Sequence, residues 1–303
     1  MIHYVSEFSV ADDLRETLRR ENSDFPFSAN ELNVIEYVNN CAKWHWHGFV
    51  EFSFVVEGAV ECCTPNGTII AGAGEGYFIN ANVLHMVRMA PNATDAKYRV
   101  LQFETSMVGG TDGIYAKYVA PVENCKRLEA FQLSRSDFGQ NATLVMMAEL
   151  FQIAAQEPPC YELAALNKII ELWSSLYTLV RSALQEEQPI PDASADRVKQ
   201  MLAFIHANYA EAVCVDAIAA SANISRREAF RSFRQVLGTT PTLYLLQHRV
   251  NRAARLLMET SATVTEISSA CGFSTSSYFT KVFHDLTGVS PRDFRRRSRG
   301  ACI

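Results

Sequence analysis

Three side chains able to bind metal ions or hydrogen-bond a polar ligand crowd one short segment, KWHWHGFVEF: His45, His47 and Glu51. A fourth, His85, follows in ANVLHMV. Imidazole nitrogens with a carboxylate suit a divalent first-row metal ion that keeps open positions. The same groups suit a polar organic ligand held by a few hydrogen bonds in an apolar wall. Alternate side chains of a strand share a face, so an extended chain would turn residues 45, 47, 49 and 51 one way. Trp44, Trp46, Phe52 and Phe54 would face the other way, as packing surface.

The elements that must position these groups are strands. LNVIEYV, VEFSFVV, AVECCT, GTII, GYFI and YRVLQFE, all between residues 31 and 105, are short, rich in β-branched and aromatic residues, and separated by Gly, Asn and Pro. PNGT at 65–68 reads as a hairpin turn between two of them. Such spacing predicts a small antiparallel barrel or sandwich. From about residue 141 the period becomes helical. Leu144, Met147, Ala148, Phe151 and Ala155 form one stripe. Beyond Pro158 and Pro159, Leu166, Ile169, Ile170, Trp173, Leu176, Tyr177 and Val180 form a second, which would cover the barrel or a partner subunit. EEQPIPDAS, 186–194, reads as a linker.

After the linker a unit occurs twice. VDAIAASANIS from Val215 aligns with VTEISSACGFS from Val264 at an offset of 49; Phe233, Gly238 and Pro241 then align with Phe283, Gly288 and Pro291 at 50. Each copy reads as helix, tight turn, helix. Thr263 with Glu266, and Ser225 with Glu228, fit capping boxes, and Ser274 is placed to cap the last helix. Gly272, and Asn223 in the first copy, suit a left-handed turn. The second helix of each copy carries an outer face of hydrogen-bond donors. The first has Arg226, Arg227, Arg231 and Arg234; the second has Thr275, Ser276, Ser277, Thr280, Lys281 and His284. Arginine can make two hydrogen bonds to guanine, and Ser, Thr and Lys reach bases or phosphates. Between the copies, residues 240–260 predict a helix of about nineteen residues, or roughly 28 Å. That approaches the roughly 34 Å between successive major-groove faces.

The stretches VDAIAASANISRREAFRSFRQVLGTTPTLYL and VTEISSACGFSTSSYFTKVFHDLTGVSPRDFRR resemble the DNA-binding domain of the AraC/XylS family of bacterial transcription regulators. The resemblance implies that the second helix of each unit enters the major groove of double-stranded promoter DNA. Its reading positions fall on Arg227, Phe230 and Arg231, and on Ser276, Ser277, Thr280 and Lys281. Phe230 stands where a polar residue is usual; it would touch a thymine methyl or turn inward. The N-terminal half is similar to the cupin-type sensor barrel common in that family. His45, His47, Glu51 and Gly58 follow the first cupin motif, and Gly74, Asn80, Asn82 and His85 follow the second in part, with Met89 in place of its asparagine. The resemblance implies a small-molecule effector, such as a sugar, on His45, His47, Glu51 and His85, with a bound divalent metal or a purely structural place in the barrel wall as the other readings. It also implies a homodimer and, for an activator, a contact with RNA polymerase.

The fold class expected is α+β and multidomain. A cupin-like β-barrel with flanking helices spans 1–140, a helical dimerisation segment 141–185 and a linker 186–194. An all-α DNA-binding domain with two helix-turn-helix units spans 195–300. Charge supports the division. Residues 192–303 hold 15 Lys+Arg against 9 Asp+Glu, a net +6, whereas residues 1–191 hold 13 against 24, a net −11. A basic end on an acidic body points to a polyanionic partner. Eight cysteines without any Cys-x-x-Cys pair read as free thiols in a reducing cytoplasm. Neither a secretory signal nor an apolar run of membrane-spanning length is read. The rival function is a metal-dependent cupin oxygenase or isomerase, for which the repeated basic helices would have no purpose. A third is architectural DNA binding without an effector.

Overall fold

The structure is a computed structural model of the 303-residue chain and describes residues 3–5, 14–18, 25–37, 40–185 and 194–300. The chain divides into two compact units, Met1–Asp192 and Ala193–Ile303. The expected linker, 186–194, lies outside the described residues except for Ser194, which opens a helix.

The N-terminal unit contains β1 (His3–Val5), β2 (Phe27–Asn33), β3 (Cys41–His45), β4 (Val50–Thr64), β5 (Gly67–Gly72), β6 (Gly76–Ile79), β7 (His85–Met89), β8 (Ala96–Phe103) and β9 (Ala130–Leu133). Their order is β1-β2-β8-β4-β6-β9, with β5 also on β4 and β7 joining β4 to β3. β4 was expected as two strands and is one. Its first half pairs with β6 and β8, and its second half with β5 and β7. It bends where the register shifts between Val55 and Glu57. Gly58 sits there at φ 71, and a Cβ would run into the backbone carbonyl of Asp95. The hairpin at Pro65–Asn66 forms as expected, with Thr64 opposite Gly67. The LNVIEYV strand stops early: Asn33 accepts from the Ile35 N–H and caps a 3-10 turn, Val34–Glu36.

Alternation along β4 and β8 separates two cores. Val55, Val60, Cys62, Tyr77, Val87, Tyr98 and Val100 pack inside the barrel. Val50, Phe52, Phe78, Leu101 and Phe103 face outward against helices. Short helices α1 (Asp112–Ile114) and α2 (Ala120–Glu123) lead to α3 (Phe138–Gln156) and α4 (Tyr161–Gln185). Asp137 caps α3 by accepting from the Gln140 N–H, and Glu157 ends it at φ 43, just before the two prolines. Leu144, Met147, Leu150, Phe151 and Ala154 of α3 join Ile169, Leu172, Trp173, Leu176 and Val180 of α4 in the outer core. Ala148 and Ala155, expected in the stripe, are exposed. Leu150 and Ala154 take their place, because small alanines carry little weight in setting the buried face. The two helices therefore cover the sheet. Trp173 presents its ring to the edges of Phe78 and Phe103 at 6.5 and 6.4 Å.

The C-terminal unit contains α5 (Ser194–Asn208), α6 (Val215–Ser221), α7 (Arg226–Leu237), α8 (Pro241–Glu259), α9 (Val264–Ala270), α10 (Ser276–Thr287) and α11 (Pro291–Gly300). α8 has the length expected, with Thr240 capping it and Pro241 at its first position. Asn223 and Gly272 take the left-handed conformation in the two turns, at φ 54 and 75. Val250, Ala253 and Leu257 of α8 pack with Ile267, Cys271, Phe273, Phe279, Val282 and Phe283 of the second helix-turn-helix unit. The Thr263–Glu266 capping box forms in full. The Ser225–Glu228 pair forms only in half: Ser225 accepts from the Glu228 N–H, while the Glu228 carboxylate turns to arginines. α10 is capped by Thr275, one position after the expected Ser274, because the backbone stays extended through Thr275 at φ −146.

Candidate functional site

The four groups singled out in the N-terminal half converge, though not along one strand. His45 ends β3, His47 lies in the turn that follows, and Glu51 lies in β4. His85 opens β7 directly opposite His45. The turn around Gly48 reverses the expectation for Phe49, which stacks flat on His47 at 4.0 Å and an interplanar angle of 5°. Asn82 takes the left-handed conformation at φ 60 and donates its N–H to the His47 carbonyl at 2.7 Å, fixing the turn. His45, His47, Glu51 and His85 are all buried.

Each imidazole is oriented by the same device. Nδ1 of His45, His47 and His85 lies 2.7, 2.8 and 3.0 Å from the carbonyls of Lys43, Phe49 and Val83. A carbonyl accepts only from Nδ1–H, so the inward Nε2 carries the lone pair. Each ring offers one ligand atom, and the three atoms lie within 4.8 Å of one another. Glu51 Oε2 stands 3.4 Å from His47 Nε2, and Nε2 has no hydrogen-bond partner among the described residues. Ser53 donates to Glu51 Oε1 at 2.9 Å and Gln102 to Glu51 Oε2 at 3.1 Å.

Burial holds the His45 imidazole well below its usual pKa, and the neighbouring His85 and His47 add to this. Burial opposes charge on His47 too, but the close Glu51 carboxylate outweighs it and raises that ring above the ordinary value. Burial alone would lift the Glu51 carboxyl; the His47 contact and the surrounding imidazoles bring it down to about 2. The Glu51 carboxylate therefore favours a proton on His47, while burial disfavours one on His45.

The cupin resemblance implies a divalent cation, and the donor set fits one. Nitrogen and oxygen ligands about 2.1 Å from an ion lie roughly 3.0–4.2 Å apart in an octahedron. Two triads of ligand atoms, one from His45, His47 and His85 and one from Glu16, His47 and Glu51, each lie within 4.8 Å of one another and share His47. A cation would take the lone pairs of His47 Nε2 and the Glu51 carboxylate, for which a proton also competes. Beside these donors lies a cavity of about 20 Å³, lined by Glu16, Asn30, His45, Glu51, Tyr98 and Gln102 among others. That is room for about one water. Asn30 Oδ1 is buried there without a hydrogen-bond partner among the described residues. Glu16, Asn30 and Gln102 escaped the sequence reading. For Gln102 a signal existed, a polar residue in phase with Tyr98 and Val100 in YRVLQF. Glu16 gave none, since only the fold brings it near.

In the C-terminal unit, Arg226, Arg227, Arg231 and Arg234 are exposed on α7, and Ala229, Phe233 and Val236 are buried beneath them. Residues 227, 230, 231 and 234 share one helical face. Phe230 is half-buried with the Arg226 guanidinium 6.0 Å over its ring, so it turns neither fully inward nor outward. Glu228 accepts from Arg231 at 2.7 Å and from Arg197 of α5 at 3.2 Å. On α10, Thr275, Ser277, Thr280 and Lys281 are exposed, Ser276 half so, over buried Phe279, Val282 and Phe283. The Thr280 hydroxyl donates to the Ser276 carbonyl at 2.8 Å. Tyr278, 45% exposed between Ser277 and Thr280, is a further candidate contact that the apolar-face reading passed over.

The glycine turn of the second unit also fixes the first. A Cβ on Gly272 would stand 2.5 and 2.8 Å from the carbonyl oxygens of Tyr209 and Ala210 in the loop after α5. Arg249 of α8 holds that loop, donating to the Tyr209 carbonyl at 2.8 Å and the Glu211 carbonyl at 2.7 Å. Its guanidinium lies 5.8 Å over the Phe273 ring. The second helix-turn-helix unit is thus tied to the loop after α5 through backbone contacts and not through α8 alone.

A family model described as an AraC-like ligand binding domain matches residues 36–124, and one described as a helix-turn-helix domain matches residues 218–297. The chain is 25% identical over 292 residues to a Bacillus subtilis protein named uncharacterized HTH-type transcriptional regulator YdeC, covering 96% of this chain and 99% of that one. It is 38% identical over 125 residues to the HTH-type transcriptional activator RhaS of Shigella boydii, covering 41% of this chain and 44% of that one. Among solved structures, an AraC-type transcriptional regulator from Chromobacterium violaceum is 35% identical, with 35% of this chain and 95% of that one covered and a TM-score of 0.34.

Proposed function

Because the chain belongs to the AraC family of DNA-binding transcription regulators, with an N-terminal ligand-binding domain, we infer that a small ligand seated among His45, His47, Glu51 and His85 sets how tightly its two helix-turn-helix units hold promoter DNA. The observation that carries this reading is the doubled unit itself. Two structurally equivalent helices, α7 and α10, each turn a row of donors to solvent over a buried aromatic core. Arg226, Arg227, Phe230, Arg231 and Arg234 form one reading face; Thr275, Ser276, Ser277, Thr280 and Lys281 form the other. A ligand regulates by binding one arrangement of the protein better than another. The rival enzyme reading leaves these faces without a role, and the relatives are named regulators.

The helices in 141–185 are the proposed contact between two copies. Phe138, Val145, Leu163 and Ile170 leave apolar surface exposed on α3 and α4. Among the described residues, no helix is long and apolar enough to cross a membrane.

The test starts from a duplex selected by the chain out of randomised DNA. Its affinity should fall steeply with salt, because each phosphate neutralised releases counterions, at a slope of about −0.9 per contact on a log–log plot. Anisotropy titrations between about 50 and 200 mM salt should lose roughly 10³-fold or more if six or more phosphates are touched. A flat line would remove the DNA-binding role from these helices.

A further inference from the structure

We propose that Glu228 and Arg197 are positioning residues for base reading: the Glu228 carboxylate aims the Arg231 guanidinium, and Arg197, from the first turn of α5, sets how tightly it is held. The proposal rests on the regulator reading above, with Arg231 against a base, and names what gives that side chain its direction.

The first observation is where the acid stands. α7, RREAFRSFRQVL, carries four arginines and a single acid, Glu228. A negative charge on a helix that meets phosphates repels them and lowers affinity for every sequence alike. Glu228 has an ordinary use at hand, because three residues after Ser225 is where a carboxylate closes a capping box. It makes only the backbone half. Its N–H donates to Ser225 Oγ at 3.3 Å, while the carboxylate turns to arginines. Glu266 shows the ordinary use: its Oε2 accepts from the Thr263 N–H at 2.7 Å and from the Thr263 hydroxyl at 2.9 Å. Glu228 thus gives up a cap and stands on a face where its charge is unfavourable, so its carboxylate needs another role.

The second observation is one oxygen shared by two arginines. Glu228 Oε1 accepts from Arg231 Nη2 at 2.7 Å and from Arg197 Nη1 at 3.2 Å. Arg231 is one turn further along α7, so that contact stays within the helix. Arg197 comes from α5, which packs on α7. Val198, Met201 and Leu202 are buried on α5, and Ala229 and Phe233 on α7. Core contacts therefore fix how far Arg197 stands from the carboxylate. A carboxylate with one arginine can close the bidentate fork that holds a guanidinium most strongly. A second cation on the same oxygen divides that attraction. Arg231 is then directed without being captured, and it remains 62% exposed.

The second reading helix is built otherwise. Fifty residues on from Glu228 and Arg231 stand Tyr278 and Lys281. Base positions under α10 therefore serve as an internal control for those under α7.

The test uses the full chain and the duplex it selects from randomised DNA. Anisotropy gives the affinity ratio between that duplex and one changed at the base position that Arg231→Ala relaxes. Glu228→Gln keeps size and removes the charge. It should lower this ratio about 3–10-fold, part of the roughly 10–30-fold that freezing an arginine side chain is worth. Binding to the changed duplex should not weaken, because a charge that repels phosphate is gone. Arg197→Ala should lower the same ratio about 2–5-fold, the range of an exposed ion pair, and Arg197→Lys should restore most of it. Neither change should alter the ratio in an Arg231→Ala background, and ratios at positions under α10 should stay as in the wild type. Thermal unfolding of each variant shows that it is folded. Unchanged ratios in folded Glu228→Gln and Arg197→Ala would overturn the proposal and leave the regulator reading standing. A loss in Glu228→Gln alone would remove Arg197 from it. An Arg197→Ala loss that is equal on every sequence and persists without Arg231 would assign Arg197 to a phosphate instead. Arg231→Ala that relaxes no base position would leave nothing to aim and would also overturn it. A wild-type chain that selects and binds no duplex would sink the regulator reading itself.

Discussion

Replacing Arg231 by Ala should weaken the selected duplex by about 1–3 kcal/mol, roughly 5- to 150-fold, and relax sequence preference at one base position. The size of the effect follows from the proposed role of Arg231 in reading a base. It lies on the same helical face as Arg227 and Arg234, 62% exposed, and Glu228 grips it at 2.7 Å from the first turn of the same helix. An exposed pair of this kind adds little to stability. What it does is narrow the directions the guanidinium can take, while Arg197 balances the carboxylate from α5. Repeating the selection with Arg231→Ala separates the outcomes. Loss confined to one base position fits base reading. An equal loss on every sequence, with a salt slope lower by about one, would assign the residue to a phosphate.

Gly272→Ala should cost the C-terminal unit about 2–5 kcal/mol and carry duplex binding down with it. Two effects add. The left-handed backbone at φ 75 costs a side chain about 1–2 kcal/mol. The new methyl would also press on the Tyr209 and Ala210 carbonyls, backbone that Arg249 holds in place, and overpacking of that kind costs about 1–3 kcal/mol. Gly288 provides the comparison. It has the same φ of 75 but nothing within 4 Å of its Cβ position, so Gly288→Ala should show the first effect alone. Calorimetry of the full chain would place the Gly272→Ala transition well below that of Gly288→Ala. Equal transitions would mean that the turn does not lock the first unit to the second.

Much of this was legible because the features are local. The doubled helix-turn-helix follows from two short periodic runs, a residue suited to a left-handed turn and hydroxyl caps, all set within a few residues of one another. The four convergent donors are a spacing pattern, and each kept its place near the others. What the sequence hid depends on chain reversal. KWHWHGFVE was read as one extended run, but the backbone turns after His45, so Phe49 stacks on His47 instead of lining a strand face. Glu16 and Gln102 meet at the site across 86 residues, a distance that no local pattern crosses. VEFSFVV and AVECCT were separated at Gly58, yet that glycine bends one strand rather than ending it. In α3 Leu144, Met147 and Phe151 are buried as expected, while Leu150 and Ala154 take the places given to Ala148 and Ala155.

Both helix-turn-helix units of one chain are proposed to read one face of a duplex. Methylation-protection footprinting of the selected duplex, with wild-type chain and with a Ser277→Ala, Lys281→Ala double variant, tests it most directly. Two major-groove protections per chain are expected, about one helical turn or 10 base pairs apart, with the double variant losing one and keeping the other. A single protected groove in the wild type, unchanged in the double variant, would contradict it.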